Sequence, residues 1–183
     1  INDEQFIKRA EIIWEKGTNR AAFFRGEIDK YGWVDIGSSF LPADIIAVFL
    51  YAQLENLEQI QNKRITNWNL YYDNLKILEE KGKIELAKIP SYATNNAHMF
   101  YILCKSNNER TDLIKYLKSF EIYPVFHYLS LHLSEFYKEK HDGRNLYNDD
   151  RYTDTLLRLP MYFELEESEI LFITKKIINF CNN

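Results

Sequence analysis

Residues 43–80 contain neither glycine nor proline, and this run constrains the fold more than any other feature of the chain. Pro42 stands where a helix favours it, in the first turn. Apolar side chains then recur at Ile46, Phe49, Leu50, Leu54, Leu57 and Ile60, and again at Trp68, Tyr71, Tyr72, Leu75 and Leu78. The spacing predicts one long helix, straight or kinked, that Gly82 ends. Its length far exceeds the usual ~11–12 residues. Such a helix links two packing environments and does not rest on a single core.

The segments on either side differ in character. Upstream, Asp3 can cap a helix over residues 3–16 in which Phe6, Ala10, Ile13 and Trp14 form an apolar face, with Gly17 as the stop. Residues 17–41 read as a long loop in which cationic and aromatic side chains interleave, and loops of this length are usually functional or mobile. Downstream the pattern becomes strand-like at 84–86, 98–104 and 123–128, with a helix over 109–120 between the last two. Residues 129–150 are polar and irregular. A short helix over 153–158 then precedes Leu159-Pro160, and an amphipathic helix closes the chain at 167–181.

Several function classes are excluded by bulk properties. A formal net charge of -4, with no basic run, argues against nucleic acid as a partner. Cys104 and Cys181 are the only cysteines and are poor material for a disulfide framework, which points to a reducing cytoplasm. No apolar stretch approaches the ~20 residues needed to cross a bilayer, so no membrane partner is expected. The chain opens Ile1-Asn2-Asp3 and is read as a piece of a longer protein.

The loop carries the most suggestive chemistry. Lys16, Arg20, Arg25 and Lys30 can bind a diphosphate through charge-assisted hydrogen bonds, while Phe23, Phe24, Tyr31 and Trp33 can stack on a base or cover a sugar. A solvated loop pinned by its aromatics accounts for the same residues. Ser38 and Ser39, just ahead of Pro42, suit either a phosphate or a helix cap. His127 lies at a strand end and could touch a substrate or make a structural hydrogen bond. His98, His127, His132 and His141 lack the spacing of a zinc site, and no metal is expected. No nucleophile triad order, phosphate-binding glycine loop or paired-cysteine motif is present.

Six motifs in register tie the chain to a known family: EKGTNR (15–20), FFRGEIDKY (23–31), DIGSSFLPADI (35–45), NAHMFYI (96–102), VFHYLSLH (125–132) and LLRLPMY (156–162). The chain resembles the DegT/DnrJ/EryC1/StrS family of sugar aminotransferases. The resemblance implies the C-terminal part of a fold type I, α/β aminotransferase dependent on pyridoxal 5'-phosphate (PLP), ending in a small α+β domain. Residues 1–41 would be the tail of the large domain with a substrate and interface loop, 42–80 a connecting helix, and 81–183 the small domain. The lysine that carries PLP would lie upstream of Ile1, so no catalytic residue is expected within the chain, which alone would be inactive.

By the same resemblance, Ser39 and Ser38 would contact the cofactor phosphate. Lys16, Asn19, Arg20 and Arg25 would lie near a nucleotide diphosphate, Tyr31 and Trp33 near the base or sugar, and His127 near the substrate mouth. The family pattern G-x-N-x-R reads Gly37-Ser38-Ser39-Phe40-Leu41 here, so a serine replaces the asparagine and the arginine is lost. The implied parent is a cytoplasmic homodimer with active sites at the interface. It would move an amino group from glutamate to C4 of a dTDP-4-keto-6-deoxyhexose. A non-catalytic nucleotide-sugar-binding or dimerisation module remains the alternative.

Overall fold

A computed structural model describes residues 1–39 and 41–182. The chain divides into two compact units, Ile1–Glu55 and Asn56–Asn183. The predicted long helix is two helices, α3 (Asp44–Glu55) and α4 (Leu57–Glu80), because Asn56 leaves helical geometry at φ -104° and ψ 10°.

In the second unit, α4 carries the core. Trp68, Tyr71, Leu75 and Leu78 follow one another by three or four residues, and all four are buried. They pack against a four-stranded antiparallel sheet with the order β1 (Glu85–Leu86), β2 (Phe100–Leu103), β4 (Leu156–Leu159), β3 (Val125–Phe126). Helices α5 (Asn107–Lys118) and α7 (Glu167–Asn182) complete the core with Leu113, Leu117, Ile170, Ile173 and Ile177. Gly82, with φ +61°, ends α4 as expected.

Two buried polar groups tie α4 to the segment after β4. Asn67 Nδ2 donates to the Leu165 carbonyl at 3.0 Å, and the Tyr71 hydroxyl donates to the Pro160 carbonyl at 3.0 Å. Burial pushes the Tyr71 phenol well above its ordinary pKa. It also pushes the Cys104 thiol up to about 12, and both cysteines are buried free thiols. Thiols held protonated in this way are poor nucleophiles.

One expected element changes type. The helix predicted over 153–158 is instead the end of α6 (Tyr147–Thr155) followed by strand β4, and the chain turns extended at Leu156 with ψ 131°. A short apolar run has no decisive period of its own. The pairing of Leu156–Leu159 with Phe100–Leu103 decides it, burying Leu156, Leu157 and Leu159.

In the first unit, Asp3 caps a single 3-10 turn by accepting from the Gln5 N–H, and α1 (Ile7–Trp14) follows. The stop at residues 15–17 is a paired arrangement in which the Gly17 N–H reaches the Ile12 carbonyl at 2.7 Å and the Lys16 N–H reaches Ile13 at 3.2 Å. The left-handed turn starts at Lys16, φ +62°, one residue before the glycine that marks it in the sequence.

Helix α3 buries none of its residues, and Ile45 (79% exposed), Val48 (68%), Phe49 (72%) and Tyr51 (65%) lie open. Exposed apolar faces of this kind drive association. The 183-residue chain on its own is therefore expected to self-associate with rising concentration. Light scattering that finds a monodisperse monomer would contradict this.

Candidate functional site

The segment expected to be one long loop is a closed ring fastened to α1, with a short helix, α2 (Arg20–Phe24), inside it. Its two ends cross as a small antiparallel contact. Thr18 bridges Trp33, the Val34 and Asp35 N–H groups reach the Gly17 carbonyl at 2.8 and 3.0 Å, and the Asn19 N–H reaches the Gly32 carbonyl at 3.2 Å. Asn19 Oδ1 accepts in return from the Gly32 N–H at 2.8 Å.

The crossing depends on two glycines with no room for a side chain. A Cβ on Gly37 would lie 1.9 Å from the Gly17 nitrogen, and one on Gly17 would lie 2.0 Å from the Asp35 carbonyl oxygen. Beyond the crossing, Arg9 Nη1 holds Asp35 Oδ2 at 2.6 Å, and the Ser38 N–H donates to the Ile13 carbonyl at 3.1 Å. The second of these contacts sets Ser38 against the end of α1.

Eight of the nine candidate residues belong to this unit, and His127 belongs to the other. Asn19 closes the ring through its backbone N–H and Oδ1. Tyr31 packs its ring 5.4 Å from Phe23, and Trp33 stands 82% exposed above the crossing. Arg20 lies over the Phe24 ring at 5.3 Å and reaches Glu15 at 3.8 Å.

Arg25 is the most committed cation. Its Nη atoms grip Glu11 at 2.8 and 3.0 Å, and its Nε holds Glu27 at 2.7 Å. It reaches a diphosphate only by releasing these carboxylates. The hydrogen bond from Arg25 holds the Glu27 carboxyl below its usual range.

A carboxyl with a depressed folded pKa stabilises above its unfolded pKa, and that contribution is lost as pH falls through the folded value. The Arg25–Glu27 contact is accordingly expected to persist from neutral pH through the ordinary glutamate midpoint of about 4.3 and to open only in stronger acid. The Arg25 Nε–Hε resonance reports this directly. A transition at or above the ordinary midpoint would contradict it.

Ser38 and Ser39 offer hydroxyl donors of the kind a phosphate group accepts. Neither hydroxyl has a hydrogen-bond partner among the described residues, and both precede α3. Phe40, in the middle of the motif, lies outside the described residues. In the second unit, His127 follows β3 with its ring 5.3 Å from that of Tyr128, and its buried Nδ1 has no partner among the described residues.

Sequence reasoning missed the residues that build this frame, namely Arg9, Glu11, Asp35 and the Gly17–Gly37 contact. The glycine pair was the one available signal. It also missed a cluster in the second unit, where His132, Asp149 and Asp150 bring three ligand-type atoms within 4.8 Å of one another. The His132 Nδ1 is 3.3 Å from Asp149 and its Nε2 is 3.1 Å from Asp150, so each ring nitrogen faces a carboxylate. The His141 ring lies 5.0 Å away.

With this geometry in place, comparisons identify similar proteins. The sequence pattern of the DegT/DnrJ/EryC1/StrS aminotransferase family matches residues 1–178. UDP-4-amino-4-deoxy-L-arabinose--oxoglutarate aminotransferase of Shewanella sediminis is 25% identical over 162 residues, covering 82% of this chain and 40% of that protein. An aminotransferase from Psychrobacter cryohalolentis superposes with a TM-score of 0.83 at 20% identity, over 99% of this chain and 50% of that one. The PLP form of a sugar aminotransferase from Streptococcus pneumoniae superposes with a TM-score of 0.77 at 19% identity, over 100% of this chain and 45% of that one. At these identities the structural likeness is one of fold. The chain spans about half the length of these relatives.

Proposed function

We propose, from the premise that this chain belongs to the DegT/DnrJ/EryC1/StrS aminotransferase family, that it is the C-terminal part of a cytoplasmic, PLP-dependent nucleotide-sugar aminotransferase. The family match along residues 1–178 is the observation that carries this reading. The proposed reaction moves the amino group of glutamate to C4 of a dTDP-4-keto-6-deoxyhexose. Its products are 2-oxoglutarate and dTDP-4-amino-4,6-dideoxygalactose for a cell-surface polysaccharide.

PLP, when bound, supplies the electron sink for transferring the amino group. The residues of this chain bind and place. Ser39 and Ser38 donate their hydroxyls to the cofactor phosphate, across the interface of a homodimer. Lys16 and Arg20 supply charge for the nucleotide diphosphate, and Arg25 joins them on release of Glu11 and Glu27. Tyr31 and Trp33 offer flat faces to the base or sugar, and Asn19 keeps the ring closed beneath them. The role assigned to His127 is contact with the substrate. On this reading the lysine that carries PLP is outside the 183 residues, and the piece alone neither holds the cofactor tightly nor turns over.

The test uses the protein at the full length its gene encodes, with PLP, glutamate and dTDP-4-keto-6-deoxyglucose, and follows the 4-amino sugar by mass spectrometry. Amination is the expected result, and Ser39→Ala is expected to weaken PLP binding by roughly tenfold, the worth of about one hydrogen bond to a charged group. Activity confined to a UDP-linked substrate would keep the reaction class and correct the nucleotide. No amination of any 4-keto nucleotide sugar would sink the reading.

A further inference from the structure

Arg158 occupies an unusual position for an unpaired charge. It sits within β4, an inner strand of the sheet, with Tyr101 of β2 and Val125 of β3 as its cross-strand neighbours. Alternation along the strand sends Leu157 and Leu159 into the core and sends Arg158 to the opposite face with those two neighbours. The guanidinium makes no ion pair and no hydrogen bond with any described residue, and its Nε is buried without a partner.

Leaving a buried donor unsatisfied costs about 1–3 kcal/mol, and more for a charged group. Arg158 therefore looks for an acceptor. It lines a cavity of about 240 Å³ together with His98, Met99, Tyr123, Val125 and Met161, and among the described residues no carboxylate lines that cavity. His98 turns its Nδ1 to Asn96 Oδ1 at 2.7 Å, which fixes the ring at the rim. The Tyr123 hydroxyl has no hydrogen-bond partner among the described residues and can serve as a second donor.

We infer that this cavity binds one small anionic group, a carboxylate or a phosphate, held by the Arg158 guanidinium with help from Tyr123. Its volume lies below the roughly 300–1,000 Å³ of pockets for drug-sized ligands. It therefore accepts a single anionic head of amino-acid or phosphoryl size and not a whole nucleotide sugar. The planar guanidinium favours oxygen pairs, which both groups present.

The experiment is an NMR titration of arginine Nε–Hε resonances in the protein at its full encoded length. Inorganic phosphate and glutamate are added separately, with ionic strength held constant by sodium chloride. The Arg158 resonance, assigned by its loss in Arg158→Lys, is expected to shift saturably with at least one of the two. A response to phosphate alone identifies a phosphoryl site, and a response to glutamate alone identifies a carboxylate site. Arg158→Gln, followed through the backbone amide resonance of Val125 opposite it, is expected to weaken binding at least tenfold while the other arginine resonances stay in place, which shows the fold intact. A resonance unmoved by both anions overturns the inference. So does one already shifted, before any addition, by a carboxylate from another part of the protein.

Discussion

Replacing Gly37 with alanine is expected to open the ring formed by residues 17–39 and to abolish the candidate site. The added Cβ would lie 1.9 Å from the Gly17 nitrogen and 2.3 Å from the Lys16 carbonyl carbon, both of them backbone atoms. No side-chain rotation relieves such an overlap, so one strand of the crossing must leave the other. Overpacking in well-fitted structure costs about 1–3 kcal/mol and sometimes more. A clash between main chains belongs at or above the upper end. The Thr18–Trp33 bridge and the Ser38 contact to Ile13 are then lost with it. Gly32→Ala is the control, because a Cβ there meets nothing within 4 Å. Limited proteolysis within residues 17–39 should accelerate strongly in Gly37→Ala and hardly at all in Gly32→Ala. Equal protection in the two variants would show that the crossing does not hold the ring.

The second large effect is expected at Phe100. This side chain is fully buried on β2, stacked 5.0 Å from Tyr71 and edge-on to Trp68 at 5.3 Å. It joins the sheet to α4. Truncation to alanine removes the ring and leaves a cavity that two rigid aromatics cannot fill, for a loss of about 3–5 kcal/mol. Against a usual total of about 5–15 kcal/mol, that puts the second unit close to unfolding. Phe136→Ala, at a position 80% exposed, should cost less than about 1 kcal/mol. Urea unfolding followed by Trp68 fluorescence measures both. A loss under about 1 kcal/mol for Phe100→Ala would mean that α4 and the sheet do not share this core.

Much of the second unit was legible because its signals are periodic. Trp68, Tyr71, Leu75 and Leu78 announce a helix face whatever surrounds them, and Gly82 announces its end. The segment 156–159 was not legible. Its leucines suit a helix end as well as a strand, and only the partner strand Phe100–Leu103 distinguishes the two. The break at Asn56 is likewise silent in the sequence, since asparagine is tolerated within helices and nothing periodic changes there.

The candidate site divides along the same line. The six motifs identified the family, and the types of residue in the ring named the ligand chemistry they suit. The sequence by itself determined the periodic helices α4, α5 and α7, their apolar faces and which family the chain joins, because periodicity and motif order are properties of the string. Only the tertiary structure decided that Arg25 is gripped by Glu11 and Glu27, that Asn19 closes a ring, that Gly17 and Gly37 touch, and that Arg158 has no counter-charge among the described residues. Each of these depends on atoms far apart in the chain meeting within a few ångströms, and neither composition nor spacing encodes such a meeting.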